Sequence, residues 1–214
     1  DEPMGARTQL TFFDERVAGA AVRHGTSDIL LTRDVGGNEN FGAYMFDLGT
    51  GRANQITEPG TRNENFVFAD DGALVAWSFV PSDSPNYDVY VGDPANPQSR
   101  RQVFDGEGAV GPVDFSADGA RLLLQRYISV AESRLFILNV ASGEMTQLTP
   151  ELSVAYSGGE FTADGRGVIT LSDEGSQFQR LVRLDIETGE RRVLTPNLNW
   201  GVESFDLSDD GRTI

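Results

Sequence analysis

The sequence predicts an all-β fold, an incomplete propeller of four-stranded antiparallel blades, on the strength of three landmark series running in phase. The first is an aromatic or apolar residue followed by a turn ending in Asp-Gly: Phe68 to Gly72, Phe115 to Gly119, Phe161 to Gly165 and Leu207 to Gly211, whose glycines lie 47, 46 and 46 residues apart. The second is an apolar strand ending in Thr-Gly or Ser-Gly, at Gly51, Gly143 and Gly189; the first interval is twice the second, which is 46 residues. The third is Gln9-Leu10-Thr11, Gln55-Ile56-Thr57, Gln102-Val103-Phe104, Gln147-Leu148-Thr149 and Val193-Leu194-Thr195, stepping by 46, 47, 45 and 46 residues. Four-stranded units at such a period stack radially as blades. A sandwich would not hold this phase over four units.

Each element follows from local chemistry. The first strand of a unit alternates, as in Phe66/Phe68 and Val113/Phe115, which gives it two distinct faces. The second is a continuous apolar run, as in Leu74 to Trp77, Leu122 to Leu124 and Val168 to Leu171, and so reads as covered on both sides. Third and fourth strands join through Gly-bearing turns, because tight hairpins demand positive φ. Asp before Gly folds its carboxylate back onto backbone N–H groups, so Asp70, Asp71, Asp118, Asp164, Asp209 and Asp210 read as turn residues. No segment has a sustained helical period.

The blades fall at about residues 12–57, 58–104, 105–149 and 150–195, with the start of another over 196–214. The first opens degenerately around Ala20–Ser27, and Thr8–Thr11 resembles the last strand of an earlier blade. This phase predicts a fragment of a longer protein, with self-association through its open edges.

Composition excludes several classes. The formal net charge of −16, with all 17 basic residues Arg, argues against nucleic acid as a partner. No stretch approaches the ~18 consecutive apolar residues of a membrane span. Zero Cys removes disulfides and thiolate chemistry, and a single His, His24, rules out a His-based metal cluster. His24 aligns with the Asp-Gly turns and reads as an ordinary turn residue. There is no Gly-x-Ser-x-Gly elbow to expose a nucleophilic serine. No catalytic residue, cofactor or metal is expected in this chain, and its compartment, periplasm or cytoplasm, is not readable.

Strand order places the short turns on one face. The long segments lie on the other: Arg33–Phe41, Pro81–Tyr87, Arg126–Ser133 and Ser172–Gln177, with the blade connections. Variable loops on a rigid scaffold are where binding resides. Within them Arg33, Asp34, Glu39, Arg126, Tyr127 and Glu132 are the candidate substrate or interdomain contacts. A carboxylate pair cleaving a sugar is a rival use of these acids, and sequence does not supply the separation it requires. Trp77 reads as core, and Trp200, at the entry to a first strand, reads as lining the channel or packed between blades, with packing preferred.

The unit Phe-Ser-x-Asp-Gly, apolar strand, Leu-Asp-x-x-Thr-Gly-Glu and Leu-Thr is similar to the repeats of TolB-like and peptidase propellers. The segments Arg33 to Phe41 and Arg126 to Ser133, with Gln9 to Glu15, resemble the bacterial prolyl oligopeptidase family. That resemblance implies a propeller that gates and helps bind peptide substrates for a C-terminal α/β-hydrolase domain, which this chain does not contain. The adjacent Glu-Glu pair with which the dipeptidyl peptidase branch grips a substrate amine is absent. The alternative is a TolB-like protein-interaction scaffold. The coding sequence downstream of Ile214 discriminates the two, since a further ~250 residues bearing the serine elbow would mark the peptidase.

Overall fold

The computed structural model describes residues 8–214 except 82 and 209. The Asp209 turn position therefore lies outside the described residues. Sixteen strands form four sheets among the described residues, each built from four strands consecutive in sequence and antiparallel to their neighbours. The first blade holds β1 (Gly19–Val22), β2 (Asp28–Arg33), β3 (Gly42–Asp47) and β4 (Arg52–Gln55). The second holds β5 (Arg62–Phe68), β6 (Val75–Val80), β7 (Asp88–Gly92) and β8 (Arg101–Asp105). The third holds β9 (Ala109–Phe115), β10 (Arg121–Ser129), β11 (Glu132–Asn139) and β12 (Met145–Gln147). The fourth holds β13 (Tyr156–Phe161), β14 (Gly167–Ser172), β15 (Arg180–Asp185) and β16 (Arg191–Val193). The first strands β5, β9 and β13 lie side by side, so the blades fan from an inner row of first strands. The sheets do not close into a ring. The fold is an incomplete β-propeller.

The second strands show why their runs are continuously apolar. On β6, Val75 and Trp77 pack toward Leu30, Ala43 and Met45 of the first blade, while Ala76 packs with Val110 and Phe115 of the third. On β10, Leu122 and Leu124 face the second blade and Leu123 faces Tyr156 and Phe161 of the fourth. Period two thus serves two cores at once, one in each seam. Trp77 is core as expected, its ring stacked between Phe66 and Tyr90 at centroid distances of 6.2 and 5.8 Å.

The repeated turn is a closed hydrogen-bond unit. Ser116 Oγ donates to Asp118 Oδ1 at 2.6 Å, Ala120 N–H donates to the same oxygen at 3.1 Å, and Arg121 N–H donates to Ser116 Oγ at 2.9 Å. Thr162 and Asp164 repeat it, as do Ser208 and Asp210. These bonds, the hydroxyl's first, hold the three carboxyls below the ordinary Asp range. The glycine that follows takes φ of 64–68° in the four turns from Gly72 to Gly211.

The Gln-apolar-Thr landmark proves to be a latch for the outermost strand. Thr57 Oγ1 accepts the Ala43 N–H, Thr149 Oγ1 the Leu135 N–H and Thr195 Oγ1 the Leu181 N–H, each at 3.0 Å. The neighbouring apolar residue closes the same ladder, as when Leu148 N–H donates to the Leu135 carbonyl at 2.9 Å. Phe104 stands at this position in the second blade. Thr149 and Leu135 are buried, so Thr149→Val strands a buried donor and is expected to cost about 1–3 kcal/mol in urea titrations. Thr149→Ser keeps the acceptor and should cost distinctly less; a Val variant that loses no more than the Ser variant would show that the hydroxyl's bond contributes little.

Several expectations are corrected. Residues 8–18 form no strand, and the first blade opens with a regular β1 rather than a degenerate segment. The Phe205/Leu207 stretch is extended without strand pairing, yet Val202, Phe205 and Leu207 pack on Ile169, Leu171 and Leu181 of the fourth blade. Trp200 is not packed between blades: it is 64% exposed, and only its carbonyl is engaged, by Arg180 Nη1 at 3.1 Å. The Arg126–Ser133 segment is not an irregular loop: β10 and β11 run through it, with one register shift at Ile128 between the Tyr127–Ser133 and Ser129–Glu132 pairs.

Candidate functional site

The longest hairpin of the molecule stands on the face of the β2–β3, β6–β7, β10–β11 and β14–β15 connections. β10 and β11 are 9 and 8 residues long, against 6 and 5 for their counterparts in the second blade. Their shared tip carries Tyr127, Ile128 and Val130, which are 53%, 49% and 89% exposed. Three apolar side chains held in water at the end of a strand pair are an unusual surface for a strongly acidic chain.

Beside the tip, a recess of about 330 Å³ opens between the inner strands of the second and third blades. Bulges create it. β5 shifts register between Glu64 and Val67, where Asn65 takes a φ of 57°, and β9 shifts at its Pro112–Asp114 stretch. Bulges bend strands and increase their twist, which shapes this end of the two inner strands, while Gly111 lets the third blade approach Asn65 and Ser78 of the second closely. The walls are apolar at Val110, Pro112 and Val113, with Tyr87 and Tyr127 contributing rings and Glu64 and Gln125 polar groups. Burial, then the Glu64 carboxylate, raises the Tyr87 hydroxyl above its ordinary pKa. Asn65 Nδ2 donates to Ser78 Oγ at 3.2 Å and Gln125 Nε2 to the Tyr156 carbonyl at 2.6 Å, fixing both amides to the framework.

The six residues singled out by sequence fall into two groups on the first and third blades, with the second blade between them. The Arg33 guanidinium lies between the rings of Phe13 and Tyr44, 4.5 and 4.7 Å from their centroids, and pairs with Glu15 at 3.2 Å. Asp34 is only 7% exposed and accepts the Glu39 N–H at 3.0 Å. Glu39 itself is exposed, with a φ of 58°. On the third blade, Arg126 lies over the Phe136 ring at 5.1 Å, and its Nε is buried without a partner. Glu132 pairs with Arg134 at 2.7 Å and accepts Ser153 Oγ at 2.9 Å. Of the six, Glu39 and Tyr127 present their side chains most openly to solvent.

Sequence reasoning missed Ile128, Val130 and the recess residues Glu64, Asn65, Tyr87 and Gln125. One signal was present: Asn65 and Gly158 occupy the same repeat position, seven before the turn glycine, and both residue types tolerate positive φ.

No protein-family model matches the chain, and no curated protein sequence matches it. Solved structures do match its fold. TolB from Acinetobacter baumannii is similar with a TM-score of 0.59 and 20% identity, over 79% of this chain and 41% of that one. Oligogalacturonate lyase from Vibrio parahaemolyticus gives 0.63 and 13%, over 86% and 53% of the respective chains. A chain of a nidogen/laminin complex gives 0.60 and 15%, over 83% and 64%. This chain thus spans less than two thirds of each of these structures, and at such identities the likeness is one of fold. The class these likenesses define is the β-propeller fold.

Proposed function

We propose that this chain is a protein-interaction propeller whose contact surface is the face bearing the β10–β11 hairpin. The observation that carries the reading is the tip of Tyr127, Ile128 and Val130, exposed on a rigid support beside a partly apolar recess. Such a patch is stable in water only at a cost, which a partner's surface relieves. The similar fold within a nidogen/laminin complex accords with a propeller meeting another protein. Selection of random peptides displayed on phage against the 214-residue chain tests it. Peptides so recovered should bind at least roughly tenfold more weakly to a variant with Ser at 127, 128 and 130, while its melting point stays close to the parent's. Equal binding to both proteins would remove the tip from the interaction surface.

A second reading follows from the resemblance to the prolyl oligopeptidase family, with the propeller gating peptides toward an α/β-hydrolase domain. In its favour, the Arg33–Phe41 and Arg126–Ser133 segments emerge on one face. Arg33, Asp34, Glu39, Arg126, Tyr127 and Glu132 would then line the route to that domain. A Gly-x-Ser-x-Gly elbow encoded downstream of Ile214 supports this reading, and a stop after further blades removes it.

A further inference from the structure

The opposite face, that of the short turns, holds a second recess of about 350 Å³, and two of its acids, Asp114 and Glu160, lie on strands rather than in turns. The position five residues before the turn glycine is Asp114 in the third blade, Glu160 in the fourth and Asp206 in the segment beyond; in the second blade it is Val67. Asp114 reaches across the seam, and its Oδ2 accepts the Phe161 backbone N–H of the next blade at 2.7 Å. Glu160 holds the same repeat position one unit on, near the backbone N–H of Leu207. A side chain from one blade thereby completes the backbone hydrogen bonding of the next.

The groups around Asp114 are predominantly acidic. Asp70, from the turn after β5, and Glu160, on β13, share its recess, with His24 of the first blade also in the lining. Arg121 of β10 faces the same seam, but its Nη2 donates to the Gly165 carbonyl at 2.8 Å and its guanidinium lies over the Phe161 ring. Burial is the main cause pushing the Asp114 carboxyl up to about 7, opposed by the Phe161 N–H and reinforced by the charges of Asp70 and Glu160.

We propose that Asp114 is a proton-operated clip between the third and fourth blades. Protonated, it spans the seam as a neutral group that still accepts the Phe161 N–H. Ionised, it is repelled by Asp70 and Glu160 and gains by drawing water into the seam, which loosens. A carboxyl raised above its ordinary value of 3.8 stabilises the fold most below that value, and the stabilisation is lost as the pH rises through about 7. The seam between the second and third blades has Val67 in place of the acid and does not share this response.

Nuclear magnetic resonance of the full chain provides the test. The Phe161 amide proton should shift with a midpoint near neutrality between pH 5.5 and 8.5, and Asp114→Asn should abolish that titration. Over the same range the melting temperature of the parent should fall by roughly 4–8 °C more than that of Asp114→Asn. Asp70→Asn, which leaves the bond in place and removes one repelling charge, should move the Phe161 midpoint to lower pH. A Phe161 resonance that is flat across this range, or an equal thermal loss in parent and Asp114→Asn, would overturn the clip.

Discussion

Phe115→Ala is expected to cost about 3–5 kcal/mol, a large part of what a domain of this kind has to lose. Phe115 is 1% exposed, and it joins Ala69 and Ala76 of the second blade to Val110, Leu122 and Leu124 of its own. The surrounding strands are fixed by their own ladders, so the space vacated by the ring cannot collapse fully. Because each blade touches only its neighbours, the loss falls on one seam. Two tryptophans stand on either side of it, Trp77 buried beside the first blade and Trp200 exposed beyond the fourth. Urea unfolding of the variant should therefore separate into an early phase and a late one when Trp77 fluorescence is compared with circular dichroism. A loss below about 1 kcal/mol would mean that the second and third blades are held together elsewhere.

The second large effect concerns a glycine. Gly72→Ala should cost about 2–4 kcal/mol, because Gly72 has a φ of 68° and an added Cβ would come within 2.5 Å of the His24 carbonyl oxygen. The same turn receives Arg23 Nε on the Gly72 carbonyl at 2.8 Å, so any retreat by the backbone strains an inter-blade hydrogen bond. Gly51→Ala is the matched control. Its φ is 69°, but nothing lies within 4 Å of the new atom, leaving only the left-handed penalty of about 1–2 kcal/mol. Parallel thermal melts of the two variants measure the difference, which belongs to the seam. Equal losses would show that the first two blades adjust freely around this turn.

The propeller was legible because its signals are local. The hydroxyl, Asp and Gly of the turns at Ser116, Thr162 and Ser208 satisfy one another within six residues, and the repeat displays that solution in phase. Trp77 was legible for the same reason, lying in a run that must be covered on both sides. The Arg126–Ser133 hairpin was not, because it turns at Val130-Ala131 without Gly, Pro or Asn to mark the reversal. Arg33 read as a binding residue, since nothing near it in sequence announces that Phe13, Glu15 and Tyr44 will surround its side chain. The position of Asp114 in the repeat was visible, but its partner lies 47 residues away in another blade. Contacts across seams depend on what faces what in space, and a single chain of letters does not report that.

Every sheet pairs strands in the order in which they leave the ribosome, and this bears on how the molecule is made. A blade of about 46 residues needs no distant segment to pair its strands, and at ~5–20 residues per second one emerges every few seconds. Hairpins close in microseconds, so each sheet has ample time to form before the next arrives. What a newborn blade lacks is a neighbour for its second apolar face. The vulnerable interval in synthesis is thus the wait between blades, when a face such as that of Leu123, Leu135 and Val113 lies open until Tyr156 and Phe161 follow.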